Sequence, residues 1–185
     1  MTDRTAPESL VLVQDLANTL DVETGEDALA APDGVSDFTR RHGLDGLLGA
    51  PGAQDRELAA LRELREALRA ACLAHTGADL PAEASEALAR QLARAPLVLA
   101  VDGTGRAGLR PREGLSGVPA LTARIAVGIA TAEADGSWQR LKACEAHDCL
   151  WVFYDRSPAG RGRWCTMAVC GSRAKMRTYR AKRQP

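Results

Sequence analysis

The stretch Cys144–Cys170, CEAHDCLWVFYDRSPAGRGRWCTMAVC, decides how the C-terminal part of this chain folds. It holds four of the five cysteines, as C-x4-C, fifteen intervening residues and a second C-x4-C. Cysteine pairs with an insert of this length are typical of structural zinc sites, in which four thiolates bind Zn²⁺ tetrahedrally and leave no open position for catalysis. The sequence therefore predicts that one Zn²⁺ binds Cys144, Cys149, Cys165 and Cys170.

Other chemistry is open to the same thiols. Two disulfides are disfavoured in a cytosolic chain, whereas a redox switch or an iron–sulfur cluster could use the same four cysteines. His147 lies inside the first pair and could replace one thiolate, although four cysteines already complete a tetrahedral shell. Cys72 lies on an apolar helical stripe and is predicted to be a core residue.

The insert between the cysteine pairs predicts a strand, a turn and a second short strand that bring the pairs together. Its aromatic side chains are expected to surround the metal; they are Trp151, Phe153, Tyr154 and Trp164. A module of this size with so few aliphatic side chains is expected to need metal binding, which contributes on the order of 10 kcal/mol in zinc-finger peptides.

The basic segment GSRAKMRTYRAKR follows directly at 171–183. The formal net charge of the chain is zero, yet residues 156–185 carry nine Arg or Lys and no acid. Residues 1–155 carry the other 15 bases and all 24 acids. Such asymmetry is typical of a segment that binds a polyanion, and a solvated basic tail is the alternative.

We predict that this basic segment is a helix with Ser172 as its N-cap. Arg173, Arg177 and Arg180 would share one face, and Met176 and Tyr179 would anchor the helix to the zinc core. Zinc-anchored basic helices commonly approach duplex DNA. The predicted DNA-binding residues are Ser172, Arg173, Lys175, Arg177, Arg180, Lys182 and Arg183.

Residues 1–136 are predicted to form a mainly helical N-terminal domain, and residues 137–185 the zinc module. Apolar periodicity predicts helices over 54–77, 81–95 and 120–136, and a strand or buried helix over 10–20. A short helix within 35–48 would have Ser36 as its N-cap and would break at Gly43, and a β-hairpin would turn at DGTG, 102–105. The predicted fold class is α+β: this domain with its small sheet, then a module of β-hairpin and basic helix.

Several function classes are disfavoured by the sequence. The start, MTDRTAPESL, lacks the apolar core of a signal peptide, and no apolar run reaches the length of a membrane span, so a cytoplasmic protein without membrane contact is expected. The acids of 21–33 are predicted to form a solvated loop, and His42 and His75 have no evident nucleophile beside them. No catalytic constellation is found, and no enzyme activity is expected.

The two cysteine pairs and the basic segment resemble the CGNR zinc-finger family, whose hallmark is C-x4-C followed by W-C-S-M-x-x-C-G-N-R. This chain has CEAHDC and WCTMAVCGSRAK, with Thr166 in place of the usual serine and Ser172 in place of the asparagine. Upstream, LVQDLANTLD and LRELREALRA are similar to the ABATE domain that usually precedes this finger. The resemblance implies a stress-related bacterial transcription regulator.

The expected partner is double-stranded DNA, with a homodimer and a small-molecule effector of the N-terminal domain as further candidates. Asn18 and Arg65 lie in the segments that carry the ABATE resemblance and could bind such an effector, although a buried polar pair is equally compatible. Two alternatives remain open for the whole chain: a zinc-stabilised adaptor whose basic helix binds an acidic protein, and a thiol-redox sensor.

Overall fold

The computed structural model describes residues 4–48 and 54–181. Its α-helices are α1 (Glu8–Ala17), α2 (Gly34–Arg41), α3 (Gln54–Ala74), α4 (Ala82–Ala93), α5 (Gly117–Ala134) and α6 (Ser172–Ala181). Two antiparallel hairpins are formed by β1 (Leu97–Val101) with β2 (Ala107–Pro111), and by β3 (Leu141–Ala143) with β4 (Val152–Tyr154). The predicted α+β class, mainly helical with small sheets, is confirmed.

The helices form where the apolar periodicity placed them. The segment over 10–20, which could have been a strand, lies mostly in α1, and Leu10, Val13 and Leu16 are fully buried on its inner face. Asn18 ends this helix, and Gly77, with φ of 102°, follows α3. Within the described ranges, none of the helices combines the length and apolar character needed to cross a bilayer.

The core forms where α1, α3 and α5 pack together. Leu61, Leu64 and Leu68 of α3 are buried in the same cluster as the apolar residues of α1, as the apolar periodicity of this helix predicted. At the crossing of α1 and α5, a Cβ on Gly128 would lie 2.0 Å from the backbone oxygen of Ser9. The two helices therefore approach each other more closely than any residue with a side chain would permit.

The β3–β4 hairpin belongs to this same core. Leu141, Ala143, Val152 and Tyr154 are buried in one cluster with the apolar residues of α1 and α3. A backbone bond from Tyr154 N to Arg4 O, 3.0 Å, adds the N-terminal segment to β4. The division of the chain after residue 136 stays a prediction, and the buried apolar core runs across it.

Two local predictions were wrong. Ser36 lies inside α2; the N-cap is Asp33, and its side chain makes no capping hydrogen bond. In the described chain no strand forms over 161–164, because the partner of β4 is β3, which precedes Cys144. The segment that precedes Trp164 instead forms an irregular loop. A backbone hydrogen bond from Glu145 N to Arg163 O, 3.0 Å, joins this loop to the hairpin.

Candidate metal centre and basic helix

The four predicted cysteine ligands meet at one point. Their sulfur atoms all lie within 4.8 Å of one another, and Cys165 Sγ is 3.6 Å from the sulfurs of Cys149 and Cys170. A tetrahedral zinc ion with Zn–S bonds of about 2.3 Å requires S···S separations of about 3.8 Å. The four sulfurs therefore fit Zn²⁺ closely. His147 is exposed and is not part of this cluster.

The first cysteine pair is positioned by the β3–β4 hairpin. Cys144 directly follows β3, and its N–H donates to Trp151 O at 3.0 Å. The turn closes through a bond from Cys149 N to Ala146 O, 2.9 Å. Leu150, the residue after Cys149, has a φ of 51°, which places it in the left-handed region that non-glycine residues rarely occupy. The chain thus turns sharply out of the metal site and into β4.

The second pair is positioned by a buried ion pair between β3 and the loop that precedes Cys165. Lys142 Nζ lies 3.4 Å from Asp155 Oδ2 and donates to Gly160 O at 2.5 Å. The Asp155 carboxylate also accepts from Ser157 N at 3.0 Å and from Gly162 N at 2.6 Å. Burial by itself would raise the pKa of Asp155, but these hydrogen bonds and the charge of Lys142 lower it to about 2. These contacts hold the loop in place, and the loop positions Cys165 at the metal site.

The electrostatics of the thiols indicate a site made for a cation. Hydrogen bonds from Cys149 and Cys165 stabilise the Cys144 thiolate and lower its pKa. The pKa of Cys165 is raised because its thiol donates to Cys144 and Cys149, and burial and their charge act in the same direction. The negative charge of one thiolate therefore disfavours ionisation of the neighbouring thiols. Four thiolates at this separation require a positive ion that compensates their charge.

Around the sulfurs, two of the four predicted aromatic side chains form the apolar shell. Phe153 is buried with Cys144, Ala146 and Cys170, and Trp164 packs against the same cluster. Tyr154 instead joins the main core, and Trp151 remains 39% exposed beside the site. The expectation that all four surround the metal was therefore only half right.

Cys72 takes no part in the cluster. It is fully buried in the α3 stripe, and burial raises the pKa of its thiol to about 12. His42 and His75 lie at the ends of α2 and α3, where burial lowers the pKa of each imidazole. The prediction that Cys72 is a core residue is confirmed.

Ser172 is not the N-cap of the basic helix. A π-helical turn, Met167–Gly171, precedes α6, and its N-cap is Thr166 in an extended conformation. Ser172 is already helical, and its Oγ donates to Met167 O at 3.0 Å. A Cβ on Gly171 would lie 2.7 Å from Met167 Sδ, so this position accommodates only a glycine without rearrangement. Because the π-turn is wide, the sulfur atoms of Cys165, before the turn, and Cys170, within it, can both lie at the metal site.

The predicted DNA-binding residues within α6, the neutral Ser172 and four basic residues, are exposed to solvent: Ser172, Arg173, Lys175, Arg177 and Arg180. Lys182 and Arg183 lie outside the described residues. Met176 and Tyr179 are 51% and 53% exposed, so the prediction that they anchor the helix was wrong. The π-turn and Cys170 attach the first residues of the helix to the metal site, and Arg173 forms an ion pair with Glu23.

The two residues proposed to bind an effector belong to different networks. Asn18 pairs with the backbone of Val152 in both directions, each bond 2.8 Å, as a neighbouring strand would. Arg65 is only 4% exposed and binds Asp27 Oδ1 at 2.7 Å and Thr19 Oγ1 at 3.3 Å. Arg65 has a structural role, whereas Asn18 also lines a cleft between α1 and the metal site.

Several polar residues of the buried interior were not predicted from the sequence. Asp27 was placed in a solvated loop, but its carboxylate is largely buried between Arg62 and Arg65. Burial alone would raise the pKa of Asp27, yet the hydrogen bond and charge of Arg65 bring about a net lowering. Arg65 and Arg69 lie among the buried apolar positions of α3. Basic residues on a buried helix face need hydrogen-bond acceptors inside the protein, and this pattern could have indicated buried acceptors such as Asp27.

Two family models match the chain. The CGNR zinc finger matches residues 140–183, and ABATE, described as "Putative stress-induced transcription regulator", matches residues 10–136. No curated protein matches the sequence. The first match contains all four clustered cysteines and the described part of α6, and the second contains α2 to α5 and all of α1 except its first two residues. The chain therefore belongs to the ABATE family and carries a CGNR zinc finger in its C-terminal part.

Proposed function

We propose that the protein regulates transcription by binding duplex DNA through α6, which a Zn²⁺ ion on the four cysteines holds in place. The observation that carries this proposal is the composition and exposure of α6. Arg173, Lys175, Arg177 and Arg180 are all exposed, and the helix contains no acidic residue. A non-enzymatic role is part of the proposal.

The geometry of α6 suits a nucleic-acid backbone. Val169, Met176 and three arginines, Arg173, Arg177 and Arg180, line a groove of about 500 Å³ along one face of the helix. Guanidinium groups bind phosphate oxygens with charge-assisted hydrogen bonds, and the apolar side chains between them can contact sugars. The exposure of Met176, which contradicted its anchoring role, therefore supports a contact surface.

Zinc would act by fixing the start of the helix. Cys165 precedes the π-turn and Cys170 lies within it, so an ion bound to both would determine the direction in which α6 leaves the module. Preorganisation of this kind reduces the conformational entropy lost on binding. We expect removal of the metal to weaken DNA binding even where the basic side chains are unchanged.

The test is a fluorescence-anisotropy titration of a mixed-sequence duplex at several salt concentrations. With about four phosphate contacts, log K should fall with log salt at a slope of about −3.6. In Arg173→Gln/Arg177→Gln the slope should flatten by about 1.8. The control is Arg106→Gln/Arg110→Gln, which removes the same charge from exposed positions in and beside β2. Equal slopes in the two double variants would contradict a specific role for α6.

An adaptor that binds acidic proteins is the alternative with a specific observation in its favour. Arg173 Nη1 already binds a protein carboxylate, Glu23 Oε1, at 2.9 Å. An acidic peptide of matched charge should therefore be titrated beside the duplex. Duplex binding that the peptide cannot displace favours the DNA regulator, and a preference for the peptide favours the adaptor.

A thiol-redox sensor would use the half-buried Cys149 and Cys165. Such a sensor should release its metal at low peroxide concentrations and recover it after reduction. Retention of the metal under these conditions would count against that role.

A further inference from the structure

A cleft of about 980 Å³ lies between the helical layer and the metal module. Gln14 and Asn18 of α1 lie on one side; Trp151, Phe153 and the segment Cys165–Ala168 lie on the other. The arginines of α6 are not part of this cleft. It is a concave site of the size that small organic molecules occupy, built from both parts of the chain.

The floor of the cleft is preformed. Gln14 Nε2 donates to Val152 O at 3.2 Å, and its Oε1 accepts from Ala6 N at 2.7 Å. Asn18 makes both of its bonds with the backbone of Val152. Since the hydrogen bonds of these amides are used within the protein, the floor is fixed before a ligand arrives, and little ordering would be lost on binding.

The walls of the cleft expose large apolar surfaces to water. Trp151 is 39% exposed and Met167 is 52% exposed, although both stand beside the buried shell of the metal site. An indole ring and a flexible thioether are well suited to a flat apolar group, because each gains contact area without a polar partner. These walls therefore favour a ligand with a planar, apolar body.

The charges at the cleft favour an anion. Arg4 and Arg41 line it together with one acid, Asp15. Asp15 Oδ2 lies 3.3 Å from His42 Nε2. Burial lowers the pKa of His42, which favours the neutral imidazole, so the positive charges at the cleft are those of the two arginines. Arg4 lies over the Phe153 ring, 4.8 Å from its centroid, and donates to Trp164 O at 3.1 Å. Arg41 is exposed and makes no ion pair with any carboxylate in the described part of the chain.

We propose that this cleft binds a small aromatic carboxylate, with its ring against Trp151 and Met167 and its carboxylate at Arg4 and Arg41. This inference goes beyond the proposed function and does not depend on DNA binding. The ligand would contact α1 on one side and, on the other, Met167, the first residue of the π-turn that leads into α6. A bound carboxylate would thus hold the metal module against the helices.

The test uses the full zinc-loaded chain and three probe acids, benzoate, 2-naphthoate and indole-3-acetate, each compared with its primary amide by calorimetry. We expect one-to-one binding of at least one acid, and binding of its amide at least about tenfold weaker, because the charge-assisted hydrogen bonds are lost. Arg41→Gln should reduce the affinity for the acid toward that of the amide. Arg124→Gln, exposed on α5 and outside the cleft, should leave it unchanged.

Two substitutions of Trp151 locate the ring. Trp151→Ala should weaken binding of acid and amide alike, whereas Trp151→Phe should preserve binding and abolish most of the ligand-induced change in tryptophan fluorescence. The proposal is overturned if no probe acid binds with a dissociation constant below about 1 mM. It is equally overturned if Arg41→Gln binds the acids as tightly as wild type, or if Trp151→Phe retains the full fluorescence change.

Discussion

Arg69 Nη1 donates a hydrogen bond of 3.0 Å to the backbone oxygen of Leu150. Arg69 is a buried side chain of α3, and Leu150 is the left-handed residue that directly follows the second cysteine ligand. The same guanidinium donates from Nη2 to Ala17 O at 2.5 Å. One arginine therefore connects the long helix, the end of α1 and the turn of the metal site.

Replacing this arginine should destabilise both the fold and the metal site. Arg69→Met keeps most of the volume but leaves buried carbonyl oxygens without donors, at a cost of about 3–5 kcal/mol in the free energy of unfolding. Zinc affinity should also fall, because Leu150 loses the contact that helps to hold its unfavourable φ. Urea unfolding and chelator competition measure the two effects.

The matched control is Arg62→Met, on the same helix. Arg62 is 42% exposed and pairs with Asp27 at 2.9 Å, so we expect a loss of at most about 1 kcal/mol. An equal loss in the two variants would contradict the special role of Arg69.

Removal of the metal should affect the whole chain and not only its C-terminal module. Cys149→Ser and Cys165→Ser should each lose bound zinc, and the melting temperature should fall because Leu141 and Val152, held by the hairpin, belong to the main core. Cys72→Ala should retain one zinc per chain, since Cys72 is outside the cluster. Elemental analysis with circular dichroism measures both quantities. Zinc loss in Cys72→Ala would contradict the assignment.

The buried ion pair before Cys165 should be sensitive to loss of its charge. Asp155→Asn replaces an acceptor of two backbone N–H bonds and leaves Lys142 charged and buried, which should cost about 3–5 kcal/mol. Because the pKa of Asp155 is lowered from 3.8 to about 2, its contribution is present at neutral pH and is lost as the pH falls from about 4 toward 2. Urea unfolding at pH 7 measures the change.

Asp135→Asn provides the comparison for this substitution. Asp135 is exposed and accepts from Ser137 N at 2.8 Å, so its replacement should change the stability very little. If the two asparagine variants unfold at the same urea concentration, the buried pair does not organise the loop.

The contact between Glu23 and Arg173 should compete with DNA. Glu23→Gln removes an exposed ion pair, so the folded chain should keep its stability while duplex affinity rises about twofold to fivefold. Glu26→Gln removes the same charge from the same exposed loop, and within the described residues the Glu26 side chain forms no ion pair with α6. Anisotropy titrations measure both variants. An equal rise in affinity would indicate a general charge effect rather than release of Arg173.

The sequence by itself determined the local elements and the composition of the metal site. Leu61, Leu64 and Leu68 follow the period of a helix with one buried face, and the cysteine spacing indicates four thiols as the metal donors. Both are short-range properties of the chain, because they depend on residues close to one another in sequence. The basic character of α6 could be recognised in the same way.

Only the tertiary structure decided how these parts are joined. Asn18 pairs with Val152 and Arg69 with Leu150, contacts that span 134 and 81 positions and leave no periodic signal in the sequence. A π-turn, Met167–Gly171, also precedes α6, so the N-cap of this helical segment is Thr166 and not Ser172. Long-range hydrogen bonds and packing override local preference, because burying an unpaired polar group costs more free energy than a cap contributes.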